Sequence, residues 1–552
     1  MENKITFKIE GGEDVNIFAA NGENVLELAR KAGVTIDAPC SGNGTCGKCR
    51  VKITQGKQGD GSPGLWRLAC KSVVSGDAEI FVPDIASAYM RKMHVEVIEP
   101  AGRRDGSYGL AVDIGTTSVS VLLVDLESGD TLAKATTGNG QLRYGADVIN
   151  RIIEQQKPNG ISKLQQAIAE NTLIPLINSL CEATNVSRDN IVKMTVASNT
   201  TMNHLLLGVD AGSIRLEPYE PAFLEFEPYD TSSIGIALAP VAKMILAPNV
   251  GSYVGGDITA GVLSVWEQGY QGGEGAYFKR PEMSLLIDLG TNGEIVFGNE
   301  DFLMACACSA GPAFEGGDIS SGMRAADGAI EACTIDKDSM EPNLSVIGGG
   351  KPVGICGSGL IDVVAELFRT GIINGKGKFN YGVMSESVFP GSKRICRDEY
   401  GIGAYVLVFA ENSATNRDIT ITEVDIDNFI RAKGAIFSGI ISLLTPLGFT
   451  PADISNVMVA GGIGSGINIK NAISIGMLPD LPEDRYSYIG NSSLDGACLM
   501  LISQDAAELV HEIAANTTYI DLSTQPGYMD EFIAACFLPH TDESLFPSER
   551  KY

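Results

Sequence analysis

Hydrophobic and polar residues alternate through positions 3 to 10 and again through 15 to 18, the period of two that predicts paired strands with one buried face. Glu23 to Ala32 carries the spacing of a short amphipathic helix, and Ala78 to Val82 reads as a closing strand. A sharper pattern begins at Tyr108. Gly109-Leu-Ala-Val-Asp113 is an apolar run ending in an acid, Gly115-Thr116-Thr117 is a turn, and Ser118 to Asp125 alternates as a second strand. The unit recurs as Leu285-Leu-Ile-Asp288, Gly290-Thr291-Asn292 and Gly293-Glu-Ile-Val-Phe-Gly298. Asn456-Val-Met-Val-Ala460 predicts a buried strand running into Gly461-Gly462-Ile-Gly464, with a helix over Asn468 to Ile473. Gly354-Ile-Cys-Gly-Ser-Gly-Leu-Ile-Asp362 heads a helix, its small residues suited either to close packing between lobes or to a plain helix N-terminus. Pro83 to Arg104 has mixed charge and scattered apolar residues, including Met90 and Met93, and reads as a linker with a place in an oligomer contact.

Composition narrows the classes. At 552 residues the chain exceeds a single domain, and a hydrophobic fraction of 44% can fill several cores. Met1 to Glu10 lacks the apolar stretch of a secretory leader, and no apolar run reaches the ~18 residues of a membrane span. A cytoplasmic protein with no membrane partner is expected. The net charge of -27 repels phosphate backbones at long range, so nucleic acid is excluded as a partner.

The 12 cysteines change the picture, because four fall close together. Cys40, Cys46 and Cys49 are separated mostly by Gly, Ser, Asn and Thr, and Cys70 follows. Small residues let a backbone fold tightly round an inorganic core and turn N–H groups toward sulfur, and four thiolates hold a 2Fe-2S cluster in ferredoxins. The first spacing is one residue longer than in plant-type ferredoxins and is similar to that of adrenodoxin-like ones. Two rival readings stand beside this one: structural zinc, which usually takes two short pairs whereas only Cys46 and Cys49 form one, and a disulfide framework, which a reducing compartment disfavours. With its strands and helix, the segment resembles a ferredoxin domain over residues 1–84.

The two Gly-Thr turns carry the second chemistry. Each follows an acid at a strand end and offers backbone N–H and hydroxyl groups to phosphate oxygens. A facing pair resembles the phosphate loops of the superfamily of acetate and sugar kinases, heat-shock-70 chaperones and actin, whose lobes clamp ATP. There the Gly461-Gly462 turn would lie against adenosine. A dinucleotide fingerprint is the rival, but the third glycine, Gly464, falls too early for it.

A ferredoxin-like domain fused to such an ATPase resembles the reductive activators of corrinoid proteins. Gly138-Asn-Gly-Gln141 through Arg151, Ser198-Asn199-Thr-Thr-Met202-Asn-His204, Gly255-Gly-Asp257, Ser309 through Glu315, Gly490-Asn-Ser-Ser and Phe537-Leu-Pro-His540 extend the likeness over nearly the whole chain. Ser198 stands where glycine is expected. The resemblance implies a multidomain α+β and α/β chain: a β-grasp ferredoxin-like domain at 1–84, a linker at 85–105, and a two-lobed, ribonuclease H-like ATPase with lobes at 106–275 and 276–552. It also implies ATP-dependent one-electron reduction of a partner's cob(II)amide to cob(I)amide.

Site roles follow from the same resemblance. Cys40, Cys46, Cys49 and Cys70 ligate iron. Asp113, Gly115, Thr116 and Thr117 face one phosphate group and the Mg²⁺ shell, and Asp288, Gly290, Thr291 and Asn292 face another. Gly461, Gly462 and Gly464 take the nucleoside. Asp257 is the candidate for orienting the attacking water, with a helix N-cap as its plain alternative. The four histidines are scattered, and His204 reads as packed rather than as a corrinoid ligand. A corrinoid protein, a low-potential electron donor and a second copy of the chain are the expected partners. Two rival functions remain: a small-molecule kinase with an attached ferredoxin, and an electron-transfer adaptor whose ATPase fold is inert.

Overall fold

The structure, a computed structural model, describes residues 3–10, 14–34, 36, 38, 49–56, 66–83, 93–98, 106–145, 147–266, 278–381, 394–397, 401–463 and 466–548. The chain divides into two compact units, Met1–Lys92 and Met93–Tyr552.

In the first unit the alternating segments become β1 (Asn3–Ile9) and β2 (Val15–Ala19), paired antiparallel. Helix α1 (Val25–Lys31) follows, with the Asn24 side chain accepting from the Leu26 and Glu27 amides as its cap. Strands β3 (Arg50–Gly56), β4 (Trp66–Leu68) and β5 (Ala78–Val82) complete a sheet in the order β2-β1-β5-β3-β4, with β5 parallel to β1. Ile5, Phe7, Val51 and Ile80 meet Val25, Leu28 and Ala29 of α1 in the core, the arrangement of a β-grasp.

The second unit holds one strand pattern twice. β6 (His94–Val97), β7 (Tyr108–Ile114), β8 (Ser118–Asp125), β9 (Thr131–Gly138), β10 (Ile191–Ser198), β11 (Tyr229–Asp230) and β12 (Lys243–Leu246) lie in the order β11-β12-β10-β7-β8-β9-β6. Three helices of this lobe matter below: α2 (Val148–Gln155), α3 (Thr200–Leu207) and α4 (Gly256–Ser264). β13 (Ser284–Leu289), β14 (Gly293–Gly298) and β15 (Leu303–Cys308) open the second lobe. Two small sheets are built from β16 (Ala329–Ile335), β17 (Pro342–Val346) and β18 (Gly354–Ile355), and from β19 (Ile395–Arg397), β20 (Gly403–Val408) and β21 (Ile419–Thr422). Helices α5 (Gly357–Arg369) and α6 (Glu423–Leu444) follow, then β22 (Asn456–Ala460), α7 (Ile469–Ser474), β23 (Tyr486–Gly490), α8 (Ser492–Ile502) and β24 (Thr517–Tyr519). The main sheet here runs β23-β22-β13-β14-β15-β24. In both lobes the first strand pairs antiparallel with its hairpin partner and parallel with a later strand, β10 or β22. This duplicated topology is that of a two-lobed actin-like ATPase.

The lobes share a core. Ala111, Ala197 and Ala247 of the first meet Leu286, Val296 and Met458 of the second round α4 and α8. Gly496 lets those helices touch, since a Cβ there would stand 1.9 Å from the Ala260 carbonyl oxygen. Although α8 belongs to the C-terminal part of the chain, it packs on β7 and β10 of the first sheet.

Several expectations are corrected. Within the stretch 85–105, read as linker, His94–Val97 pairs with β9 as an edge strand of the second unit. The small residues heading α5 pack inside the second lobe rather than between lobes: Cβ atoms on Gly357 and Gly359 would meet the Phe314 and Ile330 carbonyls at 2.1 Å. Glu423–Leu447 has the length and hydropathy of a membrane span, yet 67% of its most apolar window is buried in the protein. It is the core helix of the second lobe, and Lys433 at its middle donates to the Phe537 and Pro539 carbonyls at 2.5 and 2.6 Å, tying down the chain's tail.

Candidate functional site

The two Gly-Thr turns face each other. Thr117 Oγ1 lies 2.7 Å from Thr291 Oγ1, and Thr291 donates to Glu315 Oε2 at 2.7 Å. Because the Thr291 hydrogen is committed to the carboxylate, Thr117 is the donor between the hydroxyls. The first turn is fixed through all three of its carbonyls. Asn139 Nδ2 donates to Gly115 O at 2.8 Å, the Arg151 guanidinium to Thr116 O, and Arg324 Nη2 to Thr117 O at 2.7 Å. Arg324 comes from the second lobe and so brings a cation to the Gly-Thr turn of the first. Asn199, the N-cap of α3, donates to Thr116 Oγ1 at 3.1 Å.

Carboxylates crowd behind the turns. Asp113 ends β7 and accepts from Asn491 Nδ2 at 2.7 Å. Burial pushes it up to about 6, helped by Glu315 and opposed by the Asn491 bond. Asp257 and Asp288 each rise to about 7, through burial first and then through repulsion from one another's neighbourhood: Asp288 and Asp113 act on Asp257, Asp113 and Glu315 on Asp288. Glu294, at the start of β14, rises well above the usual range by burial and by Asp257 and Asp288. Asp257 is not a helix cap. Gly255 occupies the N-cap of α4, and Asp257 sits in the first turn with its Oδ1 accepting from Ile258 N at 2.9 Å. Ser493 lies between its carbonyl and the Asp288 carboxylate.

Such mutual repulsion is relieved by a bound cation. No three acidic, histidine or cysteine side chains converge as a ligand set among the described residues. That combination fits Mg²⁺, which keeps several waters and is held by one or two carboxylates plus substrate phosphates.

Gly461 follows β22 at φ +112°, where a Cβ would stand 2.3 Å from the Leu289 carbonyl oxygen, so only glycine brings this turn against the end of β13. Tyr488 donates its hydroxyl to Gly461 O at 2.8 Å. Gly462 is exposed with open space above it, and Gly464 lies outside the described residues.

In the first unit Cys49 is buried just before β3, and Cys70 sits in the turn Ala69–Lys71. The Cys70 amide points at Cys49 Sγ across 3.5 Å, and Asn24 Nδ2 holds the Cys70 carbonyl at 2.8 Å. An amide aimed at sulfur suits a thiolate that carries iron. Cys40 and Cys46 lie outside the described residues.

His204 is fully buried, stacks on Phe223 at 4.2 Å, and accepts from Ala222 N through Nε2, so Nδ1 carries the hydrogen given to Thr200 O. It is a packed residue. Ser198 takes the place of the expected glycine at the end of β10 without strain, its hydroxyl donating to Asn203 Oδ1 at 2.6 Å. Sequence reading quoted Glu294, Glu315 and Asn491 within its motifs without giving them a role, and it missed Arg324.

Comparison with known proteins agrees along the chain. Residues 8–75 match the 2Fe-2S iron-sulfur cluster binding domain, 108–266 the RACo middle region, and 282–550 the C-terminal domain of RACo, the ASKHA domain. The corrinoid activation enzyme RamQ of Eubacterium limosum is 33% identical over 427 residues, 77% of this chain and 69% of its own length. The Co(II) methylated amine-specific corrinoid protein reductase of Methanosarcina barkeri is 24% identical over 444 residues, 74% of this chain and 73% of its own. A solved structure titled reductive activator for corrinoid, iron-sulfur protein is 36% identical, superposes with a TM-score of 0.73, and covers 99% of this chain and 100% of its own.

Proposed function

This chain belongs to the family of reductive activators of corrinoid proteins, and on that premise we propose that it spends ATP to return a partner's oxidised cobalt to the methyl-accepting state. One electron passes to the partner's cob(II)amide and yields cob(I)amide. The observation that carries this reading is the union in one chain of a 2Fe-2S domain and a duplicated, acid-lined nucleotide cleft.

When bound, the cluster supplies a single electron at low potential. Cys40, Cys46, Cys49 and Cys70 are its ligands, and the buried position of Cys49 shields one of them from water. Each ~59 mV by which the acceptor lies below the donor costs about 1.4 kcal/mol for one electron, so a cob(II) centre of lower potential needs an outside source of free energy. ATP is that source. Asp113 and Asp288 would hold Mg²⁺, the Thr116–Thr117 and Thr291–Asn292 turns would take phosphate oxygens, and the Gly461–Gly462 turn would take the nucleoside. Asp257 orients the attacking water. A low-potential electron donor refills the cluster, and the setting is cytoplasmic.

Reduced chain with Mg-ATP is expected to convert a cob(II)amide corrinoid protein to cob(I)amide, followed by absorbance, while ATP or reductant alone does not. A metabolite kinase would ignore the corrinoid, and an adaptor with an inert ATPase half would reduce it equally well without nucleotide. Either result sinks the proposal.

Arg324 is the cation that the second lobe presents to the transferred phosphate. Arg324→Ala is expected to lower ATP turnover by about 10²-fold while ADP affinity changes little. Added guanidinium recovers part of the rate if the charge is what matters, and a parental rate in the variant removes Arg324 from the mechanism.

A further inference from the structure

Residues 216–230, Leu-Glu-Pro-Tyr-Glu-Pro-Ala-Phe-Leu-Glu-Phe-Glu-Pro-Tyr-Asp, form a strap across the first lobe that contains five acids and, after Arg215, no lysine or arginine. Its inner side is a run of aromatic contacts. Phe223 stacks on His204, Phe226 meets Phe223 edge-on at 5.0 Å, and Tyr229 meets Phe226 at 5.8 Å. Its outer side is apolar as well: Leu216 is 59% exposed, Leu224 42% and Tyr219 41%. Glu225 lies 3.4 Å from His511 Nδ1 and Asp230 pairs with Lys243, whereas Glu217, Glu220 and Glu227 carry no ion pair among the described residues.

The strap is held, not loose. Asn249 gives both its backbone and side-chain N–H to Leu224 O, at 2.8 and 2.9 Å, and the Ser252 hydroxyl donates to Tyr219 O. Tyr219 sits at φ +60°, a conformation that tyrosine rarely adopts, and its partly exposed ring leans on Tyr253 with centroids 6.3 Å apart. Rigid exposed apolar side chains ringed by uncompensated like charge make a surface arranged before any contact forms.

Its anchors lead to the cleft. Asn249 Oδ1 accepts from Gly256 N at 3.1 Å, one residue before Asp257, and from Asn203 Nδ2 at 2.9 Å on α3. His204 on the same helix accepts the strap's Ala222 amide, and the Asn199 cap of that helix donates to Thr116 in the first phosphate turn.

We propose that the 216–230 strap is the docking surface for the corrinoid protein, which meets it with an apolar depression bordered by lysine or arginine. This rests on the functional reading above and adds its place. Complementary charge steers the encounter, and Tyr219, Leu216 and Leu224 fill the depression. The occupied strap bears, through Asn249 and α3, on the residues that precede Asp257 and cap Thr116, so docking and ATP turnover share one set of hydrogen bonds.

The test uses the full cluster-loaded chain with nucleotide, and two probes in the cob(II) state: a methylated amine-specific corrinoid protein and a corrinoid iron-sulfur protein. In the E217K/E220K/E227K variant, affinity for the probe that the parent binds is expected to fall at least tenfold, with a flatter dependence on salt and loss of probe-stimulated ATPase. Melting temperature and cluster absorbance should match the parent. A second variant, Tyr219→Gly, accepts the positive φ and removes only the ring, and several-fold weaker binding is expected. Parental affinity and salt dependence in both variants overturn the docking assignment alone. A parent that binds neither probe overturns the functional reading and the docking surface with it.

Discussion

In an Asp288→Asn variant, ATP turnover is expected to fall on the order of 10²–10³-fold with the cluster spectrum as in the parent, and Asp113→Asn is expected to behave alike. Each substitution removes a carboxylate from a group of four that burial and mutual repulsion hold at raised pKa, near 6 for Asp113 and near 7 for Asp257 and Asp288. The sign of the accompanying pH effect follows from linkage. A carboxyl whose folded pKa exceeds its unfolded value keeps a proton that the unfolded chain releases, so its contribution to stability is full below about 4 and is lost as pH rises through 6 to 7. The metal-free chain is therefore expected to melt at progressively lower temperature between about pH 4 and 7. Mg-nucleotide needs the ionised carboxylates and so binds more tightly over the same interval, opposing that loss. Asp288→Asn flattens the metal-free slope. Calorimetric melting with and without Mg-ATP, together with steady-state turnover, reads both. A variant hydrolysing ATP at the parental rate would remove Asp288 from the cleft's chemistry.

Cys49→Ser has the other large effect. Cobalt reduction is abolished and iron content drops below the two irons per chain expected of the parent, because a serine oxygen is a poorer ligand than the thiolate to which Cys70 N–H now points. Nucleotide affinity is unchanged, since the first unit has a core of its own round Ile5, Phe7 and Ile80. Iron content, absorbance and nucleotide titration on one preparation separate the outcomes. Joint loss of cluster and nucleotide binding would mean that the two units do not fold independently.

What could be read in the sequence was local. Each Gly-Thr turn with its two flanking strands, and the first ferredoxin hairpin, lies within a window of about twenty residues, where period, turn chemistry and strand-end acids are visible together. Contacts between distant segments leave no such trace. Asn491 reaches Asp113 across 378 positions, Arg324 reaches Thr117 across 207, and Glu315 meets Thr291 from a neighbouring 3-10 turn that carries no phosphate motif. The β6 strand was hidden for a related reason: four residues of mixed polarity become a strand only when β9 offers an edge. Small residues at the head of α5 signalled close packing correctly but could not say against which partner.

The Thr117–Thr291 hydrogen bond ties the two turns directly to each other. If these turns take phosphate as proposed, an oxygen that reaches either hydroxyl displaces a contact the protein makes with itself, and with it the relay to Glu315. The affinity for ATP would then be the intrinsic affinity of the parted turns discounted by the fraction of chains in which they are parted. Anything that parts them ahead of the nucleotide, the partner included, sharpens ATP binding without touching ATP.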